Sequence, residues 1–246
     1  MSSPAARMPN VGARMIAIVS LAGIIGTGAG CYPAMAHPTR VGSGFSVLTT
    51  LGMYVAEDRT IVPIGEPPEV RAWPTFGISA ALSIRDTTAL DDGVGLRLSV
   101  GTGFAMPIWQ AYLELPRDRF GPYDAGVGIA LHGARPRLVM PYVQFGRQVG
   151  ERRAWWYTQQ GVAFGATSRG EPSGLIWIPT VAVASGLSGG EASLFLTGIV
   201  GGNRSVHEEM CRVCGGDARQ VSRNYMLFGV SWGQIVVSNL PIPRDR

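Results

Sequence analysis

Phe45-Ser46-Val47-Leu48-Thr49-Thr50-Leu51-Gly52-Met53-Tyr54-Val55 beats with a period of two: the odd positions are mostly apolar, and Ser46, Leu48, Thr50, Gly52 and Tyr54 stand between them. Phe76-Gly77-Ile78-Ser79-Ala80-Ala81-Leu82-Ser83-Ile84 repeats the rhythm. Side chains alternate across a strand, so the pattern makes strands with one apolar face and one small or polar face. About ten such segments follow, near 44–56, 74–85, 94–104, 108–115, 124–133, 137–147, 155–167, 174–185, 191–200 and 222–237. Most approach the ~9–11 residues that a tilted strand needs to cross a bilayer. Asp91-Asp92-Gly93, Pro116-Arg117-Asp118, Gly133-Ala134-Arg135-Pro136 and Gly189-Gly190 are turn signals between them. Short links imply an antiparallel meander, and an even strand count closes without edges. The expectation is an all-β, antiparallel up-and-down barrel of about ten strands, transmembrane in type.

The polar face decides which medium each side meets. It carries Gly77, Ser79 and Ser83, then Gly95, Ser99 and Gly101, then Gly126, Gly128 and Ala130, then Gly161, Ala163 and Gly165. A water-facing surface is normally about a quarter charged, whereas the whole chain is 15% charged. Small residues suit a narrow lumen, so the apolar face is expected to look outward at lipid. Pro141 and Pro179 fall on that outward face, and each is expected to need a bulge in a closed sheet. A soluble sandwich with free edges would accommodate them and is the competing fold.

The chain opens with a different composition. Arg7 and Arg14 precede an apolar run from Ile16 to Ile25, and small residues lead to Cys31. A basic start, a short apolar core and small residues make a secretory signal over 1–30, too short to span a bilayer as a helix. Gly28-Ala29-Gly30-Cys31 resembles a bacterial lipoprotein processing site, which implies lipidation (palmitate among the acyl groups) at Cys31. Ordinary secretory cleavage nearby is the other reading. Tyr32 stands where Asp would favour inner-membrane retention, so the resemblance implies the outer membrane. Residues 31–42, with Pro33 and Pro38, read as a tether, 43–240 as the barrel and 241–246 as a C-terminal tail. If the tether starts in the periplasm, the two long connections, 57–73 and 201–221, both lie on the outer side, where such barrels carry their longer loops.

The formal charge of +4 includes two Arg from the signal. No Arg-rich run or basic helix is present, which argues against nucleic acid as a partner. Parity places Arg85, Arg97, Glu114 and Asp124 on the lumen face at the periplasmic end, where an Arg/carboxylate network is expected because charge at that depth needs partners or water. It reads either as a salt-bridged plug or as a constriction that selects solutes. Gln110, Gln144, Gln148, Gln159 and Arg223 are candidates to extend the polar lining. Trp109, Trp155, Trp156, Trp177, Trp232, Tyr157 and Phe228 are candidates for interfacial girdles.

Cys211 and Cys214 form a C-x-x-C in an exported chain, which reads as a disulfide; a zinc site with His207 and a carboxylate, or a pair of reactive thiols, are the alternatives. Of three histidines, His37 lies in the tether, His207 beside the cysteines and His132 at the end of strand 5. There is no G-x-S-x-G elbow, and the Gly-x-Gly patterns lie in strands rather than at strand-to-helix turns. No cofactor is implied and no catalytic constellation is evident. Residues 43–240 resemble small outer-membrane barrels in pattern. The resemblance implies a lipid-anchored barrel in the cell outer membrane with a structural, adhesive or minor pore role, in contact with membrane lipid and with a small solute or surface ligand as possible partner. A soluble, surface-tethered sandwich or lipocalin-like barrel binding a small apolar ligand is the alternative, and a barrel hydrolase using His132 a more distant third.

Overall fold

Ten strands close into one barrel in the computed structural model: β1 (Gly44–Asp58), β2 (Glu69–Arg85), β3 (Gly95–Gly103), β4 (Met106–Glu114), β5 (Asp124–His132), β6 (Arg137–Val149), β7 (Ala154–Ala166), β8 (Ile176–Leu187), β9 (Gly190–Gly201) and β10 (Asn224–Val237). The structure describes residues 37–41, 44–58, 69–85, 94–103, 106–132, 137–149, 154–167, 169–187, 190–205 and 224–237. Each strand pairs antiparallel with its sequence neighbours, and β1 closes the ring on β10. Closure leaves no free edge, so the sandwich alternative is excluded. No helix among the described residues is long and apolar enough to cross a membrane; the crossing elements are strands.

The barrel is inside-out relative to a water-soluble one. Leu51, Leu98, Ile129, Val143, Val181 and Leu194 point outward and are exposed. Ser79, Ser99, Gln110, Gln144, Thr180 and Ser231 point inward and are buried. This is the alternation of a transmembrane barrel, with its apolar band toward acyl chains.

β1 ends and β2 begins, and β9 ends and β10 begins, at the same rim, opposite the rim at which β1 begins. The entry side is the near rim and the other the far rim. β2 begins earlier than the sequence suggests, because Glu69, Val70 and Arg71 extend the ladder with Asp58, Glu57 and Ala56.

The two prolines are accommodated without the bulges their chemistry led us to expect. Pairing between β6 and β7 lapses over Met140 and Pro141 and resumes in the same register. Pairing between β8 and β9 does the same over Ile178 and Pro179. The Pro179 ring lies against Gly198, where a Cβ would come within 3.2 Å of its Cγ. The register shift of the β1–β10 seam falls elsewhere, between Phe45 and Ser46.

The lumen has two halves. Toward the far rim it is filled by Ile108, Leu138, Met140, Ile176, Ile178, Ile199 and Leu227, all buried and in one apolar cluster. Toward the near rim it is polar and charged, and it holds a piece of the chain itself.

Candidate functional site

Residues 37–41, upstream of β1, lie in the near half of the lumen. His37, Thr39 and Val41 are buried there. The wall holds them by the main chain. Gln144 Nε2 of β6 donates to the His37 carbonyl at 2.7 Å, and Arg97 Nη1 of β3 donates to the Pro38 carbonyl at 2.7 Å. Tyr112 Oη of β4 donates to the Thr39 carbonyl at 3.0 Å. Arg85 Nη1 of β2 donates to the Val41 carbonyl at 3.1 Å. In return the Val41 N–H donates to Glu114 Oε2 at 2.8 Å. Each bond satisfies a polar group that burial would otherwise leave unpaired, at a cost of about 1–3 kcal/mol.

Glycine makes the room. A Cβ on Gly95 would lie 2.6 Å from Val41 Cβ, and one on Gly146 would lie 2.7 Å from Thr39 Oγ1. The small-residue face of the sequence is thus partly a bed for this segment. Gly128 of β5 sits in register between Tyr112 of β4 and Tyr142 of β6. The two rings lie nearly parallel, 5° apart with centroids at 6.2 Å, over the strip of wall that β5 leaves bare. Arg97 lies over the Tyr112 ring at 4.6 Å, a cation–π contact that fixes the guanidinium above the site.

The charged residues singled out in the sequence are all here, and the contacts among the described residues are these. Arg85 and Glu114 are hydrogen-bonded at 2.9 and 3.1 Å. Asp124 meets Arg117, at 3.6 Å. Arg117 comes from a 3₁₀ turn over Arg117–Arg119, closed by Phe120 N–H donating to the Arg117 carbonyl; the left-handed Gly121 (φ 62°) then turns the chain toward β5. Arg97 meets Pro38 and Tyr112 rather than a carboxylate. Part of the charge is therefore directed at peptide carbonyls, which the sequence did not reveal.

The other candidates separate. Gln110 accepts from Ser99 Oγ at 3.5 Å and Gln159 is buried, whereas Gln148 is exposed at the near rim. His132 is buried on the lumen face of β5 beside the far apolar cluster, between Ile108 and Leu138 in register. Trp155 and Tyr157 turn inward, while Trp109, Trp177, Trp232 and Phe228 point outward. Near the entry rim Tyr123, Phe145 and Trp156 form an outer cluster, with centroids 4.8 Å apart for Tyr123–Phe145 and 6.2 Å for Phe145–Trp156. Cys31, His207, Cys211, Cys214 and Arg223 lie outside the described residues, as do the 1–30 segment and the C-terminal tail. Among the described residues no group of His, Cys, Asp and Glu could hold a metal ion.

No protein-family model matches the chain, and no curated protein does. Among solved structures it is similar to one described as a Pseudomonas aeruginosa FadL homologue, at 9% identity and a TM-score of 0.31, over 80% of this chain and 66% of that one. The chain thus spans just under two thirds of that neighbour, a likeness too slight to carry any property across.

Proposed function

We propose that the chain is a lipid-anchored outer-membrane barrel with a structural or adhesive role, and that it is not an open pore. One observation carries this reading: the lumen is filled twice, by the apolar cluster in the far half and by residues 37–41 over the Arg85–Glu114 pair in the near half. Narrow barrels are commonly packed in this way by their own side chains. The apolar outer face supports insertion in lipid. The lipocalin-like alternative would turn its apolar faces inward around a ligand cavity, the reverse of this arrangement. The adhesive role is assigned to the two long connections, between β1 and β2 and between β9 and β10.

The lipid anchor fits by reach. From Cys31 to His37 an extended chain covers at most ~20 Å, enough to pass from the near half of the lumen over the rim to the adjacent leaflet. Two experiments test the reading. Reconstituted in a planar bilayer, the full chain is expected to give no sustained conductance; steady channel steps would overturn the non-pore role. Labelled palmitate is expected to enter the wild type and not Cys31→Ala, and equal labelling of both would remove the anchor.

A further inference from the structure

The near half of the lumen forms a polar cup around residues 37–41. Beyond it, in the far half, lie Ile108, Leu138, Met140, Ile176, Ile178, Ile199 and Leu227, in the same apolar cluster as Val41. The cup is built around residues 37–41 in detail. The carbonyls of His37, Pro38, Thr39 and Val41 each take a donor, and the donors come from β6, β3, β4 and β2. The segment's side chains are read by shape and not by hydrogen bonds: His37 Nε2 and Thr39 Oγ1 have no hydrogen-bond partner. Among the described residues the segment's N–H of Val41 is used, and it meets Glu114. Spare capacity remains in the wall, since Gln144 Oε1 and Arg97 Nε are buried without a partner. Gly95 and Gly146 leave beds for the side chains at two alternate positions, 41 and 39, both β-branched here. Donors aimed at successive carbonyls, with pockets for alternate side chains, are how extended peptides are recognised generally: the main chain supplies affinity and the alternate side chains supply selectivity.

We propose that this cup is a binding site for extended polypeptide, filled in cis by residues 37–41 and able to take in trans an extended segment of a partner protein on the near-rim side, with small or β-branched residues two apart. The site stands on the wall geometry alone and does not depend on the lipid anchor or on the absence of conductance. The cis segment competes by virtue of its high effective concentration. Removing its side-chain anchors should open the cup to a free peptide.

The test uses the full-length chain in detergent with residues 37–41 replaced by Gly-Ser-Gly-Ser-Gly, and a fluorescein-labelled peptide, Ala-His-Pro-Thr-Arg-Val-Gly, copying residues 36–42. Heat-modifiable gel migration establishes that each variant keeps its barrel. Saturable binding by anisotropy is expected, at least tenfold tighter for the replaced chain than for wild type. Adding Gln144→Ala and Tyr112→Phe to that chain should weaken binding at least tenfold. N-methylation of the peptide's valine amide should do the same, whereas exchanging its arginine for alanine should change it less than threefold. No saturable binding to a replaced chain that migrates as a folded barrel would overturn the proposal. So would binding indifferent to both the wall substitutions and the N-methyl group.

Discussion

Glu114 has two partners of different kinds: the Arg85 guanidinium and the Val41 amide. Its exposure is 1%, so no water replaces either if it goes. Glu114→Gln keeps the shape, removes the charge and leaves Arg85 facing a neutral amide. Breaking one side of a buried pair typically costs about 3–5 kcal/mol; the amide oxygen still accepts from Val41, which places this variant at the low end. Urea unfolding from lipid vesicles should show a loss of about 3 kcal/mol, and a loss below about 0.5 kcal/mol would mean the pair lies in effective contact with water. His37 answers to pH. Its burial, and secondly the charge of Arg97, hold its pKa well below the usual 6.5. The groups that hold the segment around it are Arg97 from β3, neutral Gln144 from β6 and Tyr112 from β4; the Glu114 carboxylate lies at the Val41 end. The docked histidine is therefore neutral, while an undocked one in water titrates near 6.5. Docking is fully favoured above pH 6.5 and weakens as pH falls below it, because protons bind the released form better. From pH 7.5 to 5.5 the docking equilibrium should fall about tenfold, read as faster proteolysis at Arg40. His37→Gln should remove that dependence.

At the level of strands, β5 shows why small residues recur. Gly126 and Gly128 leave no side chain inside, and Tyr112 and Tyr142 of the flanking strands lie over the gap; a Cβ on Gly128 would come within 2.3 Å of Tyr142 Cζ. Gly128→Ala should therefore cost about 1–3 kcal/mol by overpacking. Tyr142→Leu should recover part of that loss in the double variant, a non-additivity expected of residues in contact. Strictly additive losses would show that the ring moves aside freely. The alternation that marks β5 also marks the other strands, and their order, face and approximate bounds were legible from it. The start of β2 was not, because Glu69, Arg71 and Pro74 interrupt the apolar rhythm and only pairing with β1 holds them in the sheet. Nor was the apolar far half of the lumen: Ile108, Ile176 and Leu227 keep the inward parity, but strand alternation cannot say which inward positions meet across a closed ring. The bed of residues 37–41 was hidden for the same reason. The partners Gln144 and His37 stand 107 positions apart in sequence, and closure alone brings them together.

For the molecule as a whole, the outer surface decides between lipid and water, and one substitution series can measure it. Val181 lies near the middle of β8 and is 52% exposed; Val149 ends β6 at the near rim and is also 52% exposed. In water the two sites are equivalent, and an arginine at either should change stability by less than about 0.5 kcal/mol. In a bilayer they differ by depth. An arginine at the midplane of a barrel's lipid face costs about 2–4 kcal/mol, and near the interface about 0–1. The outer aromatic cluster of Tyr123, Phe145 and Trp156 lies on the same side of the barrel as Val149 and suits the lipid–water boundary. Eight residues up β7 from Trp156, outward-facing Phe164 lies near the other rim; at about 3.3 Å per residue and a tilt near 40°, that separation is roughly 20 Å along the normal, close to the height of such a band. Val181→Arg should therefore lower the folding free energy in lipid vesicles by about 2–4 kcal/mol, and Val149→Arg by no more than about 1. The deep and shallow sites would have to respond alike for the apolar face to be looking at anything other than lipid.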